Sequence, residues 1–255
     1  MSLTVYVIYH DVLLWENYKE LDTDELDLIT FVAVNKEITP KREEFPPKKM
    51  IREWELPEYD PNLQKLHVCD DTMVPKSHFN ETGVHWHLAL NKVCKTEYIY
   101  VCHNDMLFTK GSLAKLKSLL KPGRGITIAR ANFEKLVATS TYGPYEMSMY
   151  NYAANEMNVD RTKMFPLFTN CAMETKLFEE QMHKLIRINK KLFLSTLPGP
   201  SYRPAITFER TWALAMGAVL DEILVVNGIL HGHPPIDKVY TETQGGAVTQ
   251  YPQFS

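Results

Sequence analysis

The chain has 255 residues, of which 45% are hydrophobic and 23% are charged. This composition supplies the core of one globular domain and excludes a disordered or low-complexity protein. The 28 basic and 31 acidic side chains give a net charge of −3, whereas a general nucleic-acid-binding protein is expected to be strongly positive. We therefore expect no nucleic-acid partner, and any anionic ligand must be held by local chemistry.

The sequence predicts neither a membrane segment nor disulfide bonds. No segment approaches the roughly 18 to 20 apolar residues of a transmembrane helix, and the N-terminus lacks the basic and apolar regions of a signal peptide. We therefore expect a cytoplasmic protein. The cysteines lie in apolar runs without CxxC spacing, which favours buried, reduced thiols. They are Cys69, Cys94, Cys102 and Cys171.

Strand and helix patterns alternate along the first half of the chain. The strands are predicted at residues 4–9, 28–34, 66–69, 97–102 and 126–129. Helices are predicted from Thr82 and over 112–120, and the proline-bearing stretch 36–61 is expected to be a surface insertion. This alternation predicts an α/β fold with an open, mainly parallel sheet and helices on both faces.

The second half of the chain is richer in helical patterns. Helices are predicted at 145–157, 175–192 and 208–220. We interpret residues 1–255 as a single domain. It comprises a nucleotide-binding half at 1–130, a half that shapes a second pocket at 131–240, and a tail or lid at 241–255.

The first candidate site is His103-Asn104-Asp105, which directly follows an apolar strand. Ligands of parallel α/β sheets bind at the carboxyl ends of the strands. A carboxylate there can hold a divalent cation that bridges phosphate oxygens, and an imidazole can be a second ligand. In the alternative interpretation, Asp105 caps a turn and His103 is only a polar residue at a strand end.

The second candidate is Glu209 with Arg210, placed in the first turn of the helix predicted over 208–220. The helix dipole would keep a carboxylate there ionised, as a general base requires. Alternatively, Glu209 is a capping carboxylate that pairs with Arg203 or Arg210.

Histidine pairs form the third candidate. His231 and His233 flank a glycine after an apolar run and can bring an imidazole to a metal or a diphosphate; the alternative is a solvent-exposed turn enforced by prolines. His85 and His87 are discounted as a metal site because residues two apart on a helix point in different directions. Trp86 between them is assigned to the core.

Motifs that bind phosphate through glycines are absent from the sequence. It contains neither GxGxxG nor GxxxxGK[ST], and it also lacks the GxSxG of serine hydrolases. A phosphorylated ligand would therefore be held through a metal.

The stretch from Tyr98 to Asp105 resembles the strand and DxD-like motif of GT-A type nucleotide-sugar glycosyltransferases. Further stretches resemble bacterial and viral capsule-glycan glycosyltransferase-like domains, including those of chloroviruses. These stretches are Asp70-Asp71-Thr72 with Asn80-Glu81 and Trp86, Thr96 to His103, Asn170 to Met173 with Phe178, and Arg203 to Arg210. Together they cover about residues 66–216 in the family's order, which is more specific than any single motif.

The resemblance implies a GT-A-like fold, a UDP-sugar donor, a glycan acceptor, and Mn²⁺ or Mg²⁺ as cofactor. Asp105 is the implied metal ligand, whereas His103 replaces the first carboxylate of the usual motif; His103, His231 or His233 would complete the metal shell. A viral source would place the enzyme in the host cytoplasm. The residues expected to contact the donor are Tyr9, His10, Asp11, Asp70, Asp71, His103, Asn104 and Arg210.

The resulting hypothesis is an inverting sugar transfer in which Glu209 takes the proton of the acceptor hydroxyl. A second hypothesis is a nucleotide- or glycan-binding module that keeps the fold and has lost turnover, since His103 weakens the acidic motif. A third is a metal-dependent hydrolase built on the histidine pairs, for which no diagnostic ligand spacing is present.

Overall fold

The computed structural model of the chain describes residues 1–9, 15–34, 49–60, 81–104, 106–128, 144–160, 169–194, 204–226, 230–231 and 248–251. The strands are β1 (Leu3–Tyr9), β2 (Ile29–Ala33), β3 (Met50–Arg52), β4 (Tyr98–His103), β5 (Leu107–Phe108), β6 (Arg124–Ile128), β7 (Cys171–Glu174), β8 (Glu222–Val226), β9 (Leu230–His231) and β10 (Val248–Tyr251). The α-helices are α1 (Thr23–Leu26), α2 (Glu81–Leu90), α3 (Ser112–Leu119), α4 (Pro144–Met157), α5 (Thr175–Leu194) and α6 (Pro204–Gly217). Short 3₁₀ helices span Trp15–Asn17 and Glu53–Glu55.

Eight of these strands form one mixed sheet in the order β10-β8-β6-β7-β4-β1-β2-β3. The pairs β1–β2, β1–β4, β2–β3 and β6–β8 are parallel. Strand β7 pairs antiparallel with both β4 and β6, and β10 pairs antiparallel with β8. The prediction of an open, mainly parallel sheet is therefore confirmed.

Both faces of the sheet are buried, which is why its central strands are almost continuously apolar. Along β1, Tyr6 and Ile8 face a core cluster that includes Trp86 of α2 and Trp212 of α6. The alternate residues of β1, including Val5, face a second cluster formed with the segment after β1 and with α3. Helices thus cover both faces, as predicted.

Helix α3 follows the apolar pattern seen in the sequence. Leu113, Leu116 and Leu120 are at most 2% exposed and pack on the second cluster. Gly111 precedes the helix with φ of 79°, a left-handed conformation that costs little only for glycine. This residue has no side chain with which to cap the helix.

A carboxylate from α1 caps α3 instead. Glu25 is 4% exposed, and its two oxygens accept hydrogen bonds from the amides of Gly111 at 2.8 Å, Leu113 at 2.9 Å and Ala114 at 3.2 Å. The first amides of a helix have no partner within the helix. The Glu25 carboxylate therefore satisfies them and opposes the positive end of the helix dipole.

Two segments differ from the sequence predictions. The stretch 36–61 was expected to be a surface insertion, yet Met50–Arg52 adds strand β3 to the edge of the sheet. The tail at 241–255 was expected to fray or to form a lid, yet Val248–Tyr251 pairs with β8. Each segment thus contributes a strand that the sequence did not predict, because an open sheet edge binds even a short extended segment through backbone hydrogen bonds.

The described cysteines agree with the prediction of buried, reduced thiols. Cys94, Cys102 and Cys171 are free and buried; Cys69 lies outside the described residues, as does the strand predicted at 66–69. Within the described part of the chain, every helix is too short or too polar to cross a membrane.

Candidate active site

The parallel strands end together on one side of the sheet, which we call the carboxyl edge. It is defined by the last residues of β1, β2, β3, β4, β6 and β8, which are Tyr9, Ala33, Arg52, His103, Ile128 and Val226. The antiparallel strand β7 begins at this edge, next to β4 and β6. Loops that carry ligand-binding residues follow the strands at such an edge.

Strand β4 delivers the predicted acidic motif to the middle of the carboxyl edge. The strand has the predicted length but begins and ends one residue later than predicted, so that His103 is its last residue and lies opposite Ile8. The Asn104 amide donates to the Ile8 carbonyl at 2.9 Å, and the Met106 amide donates to the His103 carbonyl at 3.1 Å. The chain therefore turns directly after β4. Asp105, which follows Asn104 in the sequence, lies outside the described residues.

The short strands β5 and β9 connect this turn to the C-terminal histidines. They pair antiparallel, with Leu107 opposite His231 and Phe108 opposite Leu230. Directly opposed residues of such a pair have Cα atoms about 4.5 to 5.5 Å apart. The backbone of His231 therefore lies beside a residue two positions after Asp105. His233 is outside the described residues.

Asn170 is an edge residue that the sequence analysis did not assign to the site. It directly precedes β7, and Thr127 of β6 donates to its carbonyl at 3.4 Å. Its side-chain Oδ1 is buried and accepts no hydrogen bond among the described residues; its Nδ2 lies 4.0 Å from the Met106 sulfur. An unsatisfied buried oxygen is costly, so a ligand hydroxyl is a suitable partner. The only sequence signal for it was its place in a resembling stretch.

Tyr9 is a described residue, whereas the other residues predicted to contact the nucleotide from the end of β1 are not. Tyr9 ends β1 at the carboxyl edge, but its side chain is 1% exposed and its hydroxyl donates to the Met50 sulfur at 3.0 Å. The Tyr9 side chain is therefore part of the core, and a donor contact by this residue stays a prediction. The other residues predicted around the donor lie outside the described residues: His10, Asp11, Asp70 and Asp71.

Helix α6 carries Glu209 and Arg210, but it starts earlier than predicted. It begins at Pro204, a residue favoured in the first turn, so Glu209 is in the second turn. The prediction of a first-turn position is therefore wrong. The helix dipole gives no reason to expect an ionised Glu209, because its effect fades beyond the first turn. Arg203 lies outside the described residues.

The direction of α6 nevertheless favours a role at the carboxyl edge. The helix ends at Gly217, shortly before β8 begins at the opposite edge of the sheet. Its N-terminal half, which contains Glu209 and Arg210, therefore points toward the carboxyl edge. Residues 211–217, which follow these two charged residues in the helix, are all buried.

His85 and His87 are structural, as the sequence analysis inferred. The His85 Nε2 lies 3.4 Å from the Thr169 carbonyl. His87 instead accepts from the Asp60 amide at 3.1 Å through Nε2 and contacts the Glu53 carboxylate through Nδ1. The two rings bind different parts of the protein and do not converge on one ligand.

The described residues limit the choice of metal ligands. They contain no group of three or more His, Cys, Asp or Glu side chains that could hold a metal ion. Burial raises the pKa of the Cys171 thiol above its ordinary value. The described residues by themselves supply no complete site for a cation at the carboxyl edge.

Comparison with known proteins gives distant structural similarities only. No family model matches the chain, and no curated protein matches it. The chain is similar to the galactosyltransferase LgtC in complex with donor and acceptor sugar analogs, at 10% identity over 96% of this chain and 86% of that chain, with a TM-score of 0.46. It is also similar to S. aureus TarS 1–349, at 10% identity over 88% of this chain and 57% of that chain, with a TM-score of 0.39.

Proposed function

We propose that the protein is a metal-dependent glycosyltransferase that moves a sugar from a UDP-sugar to a hydroxyl of a glycan. The observation that carries this proposal is the pairing of β5 with β9, which brings the backbone of His231 beside Leu107, two residues after Asp105. In this proposal, the Asp105 carboxylate and the His231 imidazole converge on one cation at the edge where parallel sheets bind ligands.

The ligand atoms that these residues offer suit Mn²⁺ or Mg²⁺. Asp105 supplies a carboxylate oxygen and His231 an imidazole nitrogen, both of which Mn²⁺ accepts, and the remaining positions stay open for diphosphate oxygens and water. His103 and His233 are alternative nitrogen ligands in the same two segments. When bound, the cation supplies positive charge that stabilises the leaving diphosphate.

The donor would lie along the carboxyl edge. In this proposal, Tyr9, His10 and Asp11 contact the nucleotide base from the end of β1. Further contacts to the donor come from Asp70, Asp71, His103, Asn104 and Arg210. The unsatisfied Oδ1 of Asn170 accepts a hydrogen bond from a hydroxyl of the transferred sugar.

Glu209 is the proposed general base. The acceptor oxygen forms a bond to the anomeric carbon while the bond from that carbon to the β-phosphate oxygen breaks. The electron pair of the broken bond leaves with UDP, and the acceptor proton passes to the Glu209 carboxylate. Attack from the face opposite the leaving group inverts the anomeric configuration. The position of Glu209 on the half of α6 that points toward the carboxyl edge supports this role.

One observation favours a non-catalytic binding module as the second candidate. The residue at the end of β4 is His103, where the resembling enzymes have a carboxylate. A module of this kind would bind nucleotide or glycan without turnover. The two candidates differ in whether UDP is released from a nucleotide sugar.

The test is UDP release from a panel of UDP-sugars in the presence of Mn²⁺. We expect release by the wild-type protein and loss of release when EDTA is added or when Asp105 is changed to Asn. Asp24→Asn, at an exposed position of α1, is the matched control and should leave the rate unchanged. Binding of a UDP-sugar without any UDP release would instead support the binding module.

A further inference from the structure

The carbonyl of Asn104, directly before Asp105, is held by two side chains distant in sequence. Asn17 Nδ2 donates to it at 2.9 Å, and the Tyr18 hydroxyl donates to it at 3.1 Å. On the other side, the Asn104 amide donates to Ile8 of β1 at 2.9 Å. The backbone of Asn104 is therefore held at both its amide and its carbonyl, on the two sides of its Cα atom.

The ring of Tyr18 makes a second set of contacts. It is 0% exposed and stacks on Phe108 of β5, with ring centroids 5.5 Å apart and planes at 30°. On another side it meets the edge of Phe31 of β2, at 5.3 Å and 86°. Aromatic contacts at these distances are favourable beyond simple burial, so the ring also fixes the position of β5.

Through β5, Tyr18 is connected to the second proposed metal ligand. Phe108 lies opposite Leu230 of β9, and His231 is the next residue. The buried Tyr18 side chain therefore contacts both segments. Its hydroxyl donates to the carbonyl of Asn104, the residue before Asp105. Its ring packs on β5, the strand that pairs with the segment of His231.

We propose that Tyr18 is a positioning residue that sets the placement of Asp105 relative to His231, and that Asn17 assists it. This inference rests on the proposed function, because it concerns the two residues assigned there to the divalent cation. Metal sites depend on outer contacts that orient the ligands, and loss of such a contact costs affinity. Tyr18 therefore acts through the ligands and touches neither cation nor substrate.

The experiment measures Mn²⁺ affinity directly, by electron paramagnetic resonance of free Mn²⁺ during titration in the presence of UDP. Tyr18→Phe keeps the ring and removes only the hydroxyl, and Asn17→Ala removes the other donor to the same carbonyl. For each variant we expect Mn²⁺ affinity to fall about 10-fold. The affinity for UDP without metal should not change. General destabilisation would instead weaken the binding of both Mn²⁺ and UDP.

Tyr100→Phe is the matched control. Tyr100 is fully buried in the same core cluster, and its hydroxyl lies beside the Cys102 thiol without a hydrogen bond of good geometry among the described residues. We expect its removal to leave Mn²⁺ affinity unchanged. Without metal, hydrogen exchange of the amides at 104–108 should be faster in Tyr18→Phe than in Tyr100→Phe, because the Asn104 carbonyl has lost a bond only in the former.

The outcomes separate this inference from the proposed function. If the wild-type protein binds Mn²⁺ with UDP and Tyr18→Phe binds it equally well, the positioning role is contradicted while the metal site stands. If the wild-type protein binds no Mn²⁺ in the presence of UDP, the metal-dependent function itself is contradicted, and the positioning role with it.

Discussion

Glu209 and Arg210 are the two charged residues of α6. They lie in the N-terminal half of the helix, which points toward the carboxyl edge, and residues 211–217 after them are buried. We interpret Glu209 as the base and Arg210 as a contact to the donor.

Glu209→Gln should abolish transfer and leave donor binding intact. A glutamine has nearly the same shape but cannot take a proton, and general base catalysis contributes about 100-fold or more to a rate. The measurements are the transfer rate and the Kd of the UDP-sugar.

Glu180→Gln is the control for this variant, because Glu180 is an exposed residue of α5 far in sequence from α6. It should transfer sugar at the wild-type rate. If Glu209→Gln also turned over normally, the assignment of the base would be wrong.

Single residues of the site differ in how well the sequence predicts them. His103-Asn104-Asp105 is predictable because it follows a long apolar strand, and the strand end locates it at the edge. Asn170 and Tyr18 are not predictable, since their importance arises from contacts with residues far away in the chain. Asn104, for example, lies 86 residues from Tyr18, and only the folded chain brings them together.

At the scale of elements, α3 depends on a cap from another helix. Glu25 supplies acceptors to three amides at the start of α3, where Gly111 provides none. The cap also links α1 to α3 on the face of the sheet that contains Tyr18. This contact stabilises the helix layer beneath the site.

Glu25→Ala should destabilise the protein by about 2 kcal/mol, because hydrogen bonds to a charged group contribute about 1.5 to 3 kcal/mol and buried amides would be left without partners. Equilibrium unfolding in urea measures this difference. Glu25→Gln, which keeps one neutral acceptor, should lose less stability. Asp24→Ala, at an exposed position of the same helix, should change it little; equal effects of Glu25→Ala and Asp24→Ala would refute the capping role.

The elements that the sequence predicts are the long ones. The strands β1 and β4 and the helix α3 agree with the predictions within one or two residues, because each has a run of apolar residues with a clear period. The strands β3, β5, β7, β8, β9 and β10 were missed. Each has at most five residues, too few for a period to be read, and each forms by pairing with a strand from elsewhere in the chain.

At the scale of the whole molecule, the sheet order explains how distant segments reach one site. The strands β1, β4, β6 and β8 come from both halves of the chain and end at the same edge. The antiparallel strand β7 starts there and contributes Asn170. The alternation of strands and helices predicted an open, mainly parallel sheet, but the order of its strands depends on long-range pairing that a single sequence does not show.

The net charge of −3 fits this arrangement. A protein that attracts an anionic donor through overall charge would be basic. Here the diphosphate would instead be bound by one cation held between two short segments, so the overall charge is free to be slightly negative. The account therefore depends on the metal site more than on any other feature.

The most direct test is the electron spin echo envelope modulation of Mn²⁺ bound to the protein with UDP. The account predicts nitrogen coupling from a coordinated imidazole, lost in His231→Ala and retained in His183→Ala, where the exposed histidine of α5 is removed instead. Absence of nitrogen coupling in the wild-type protein, or coupling that persists in His231→Ala, would contradict the convergence of Asp105 and His231 on one cation.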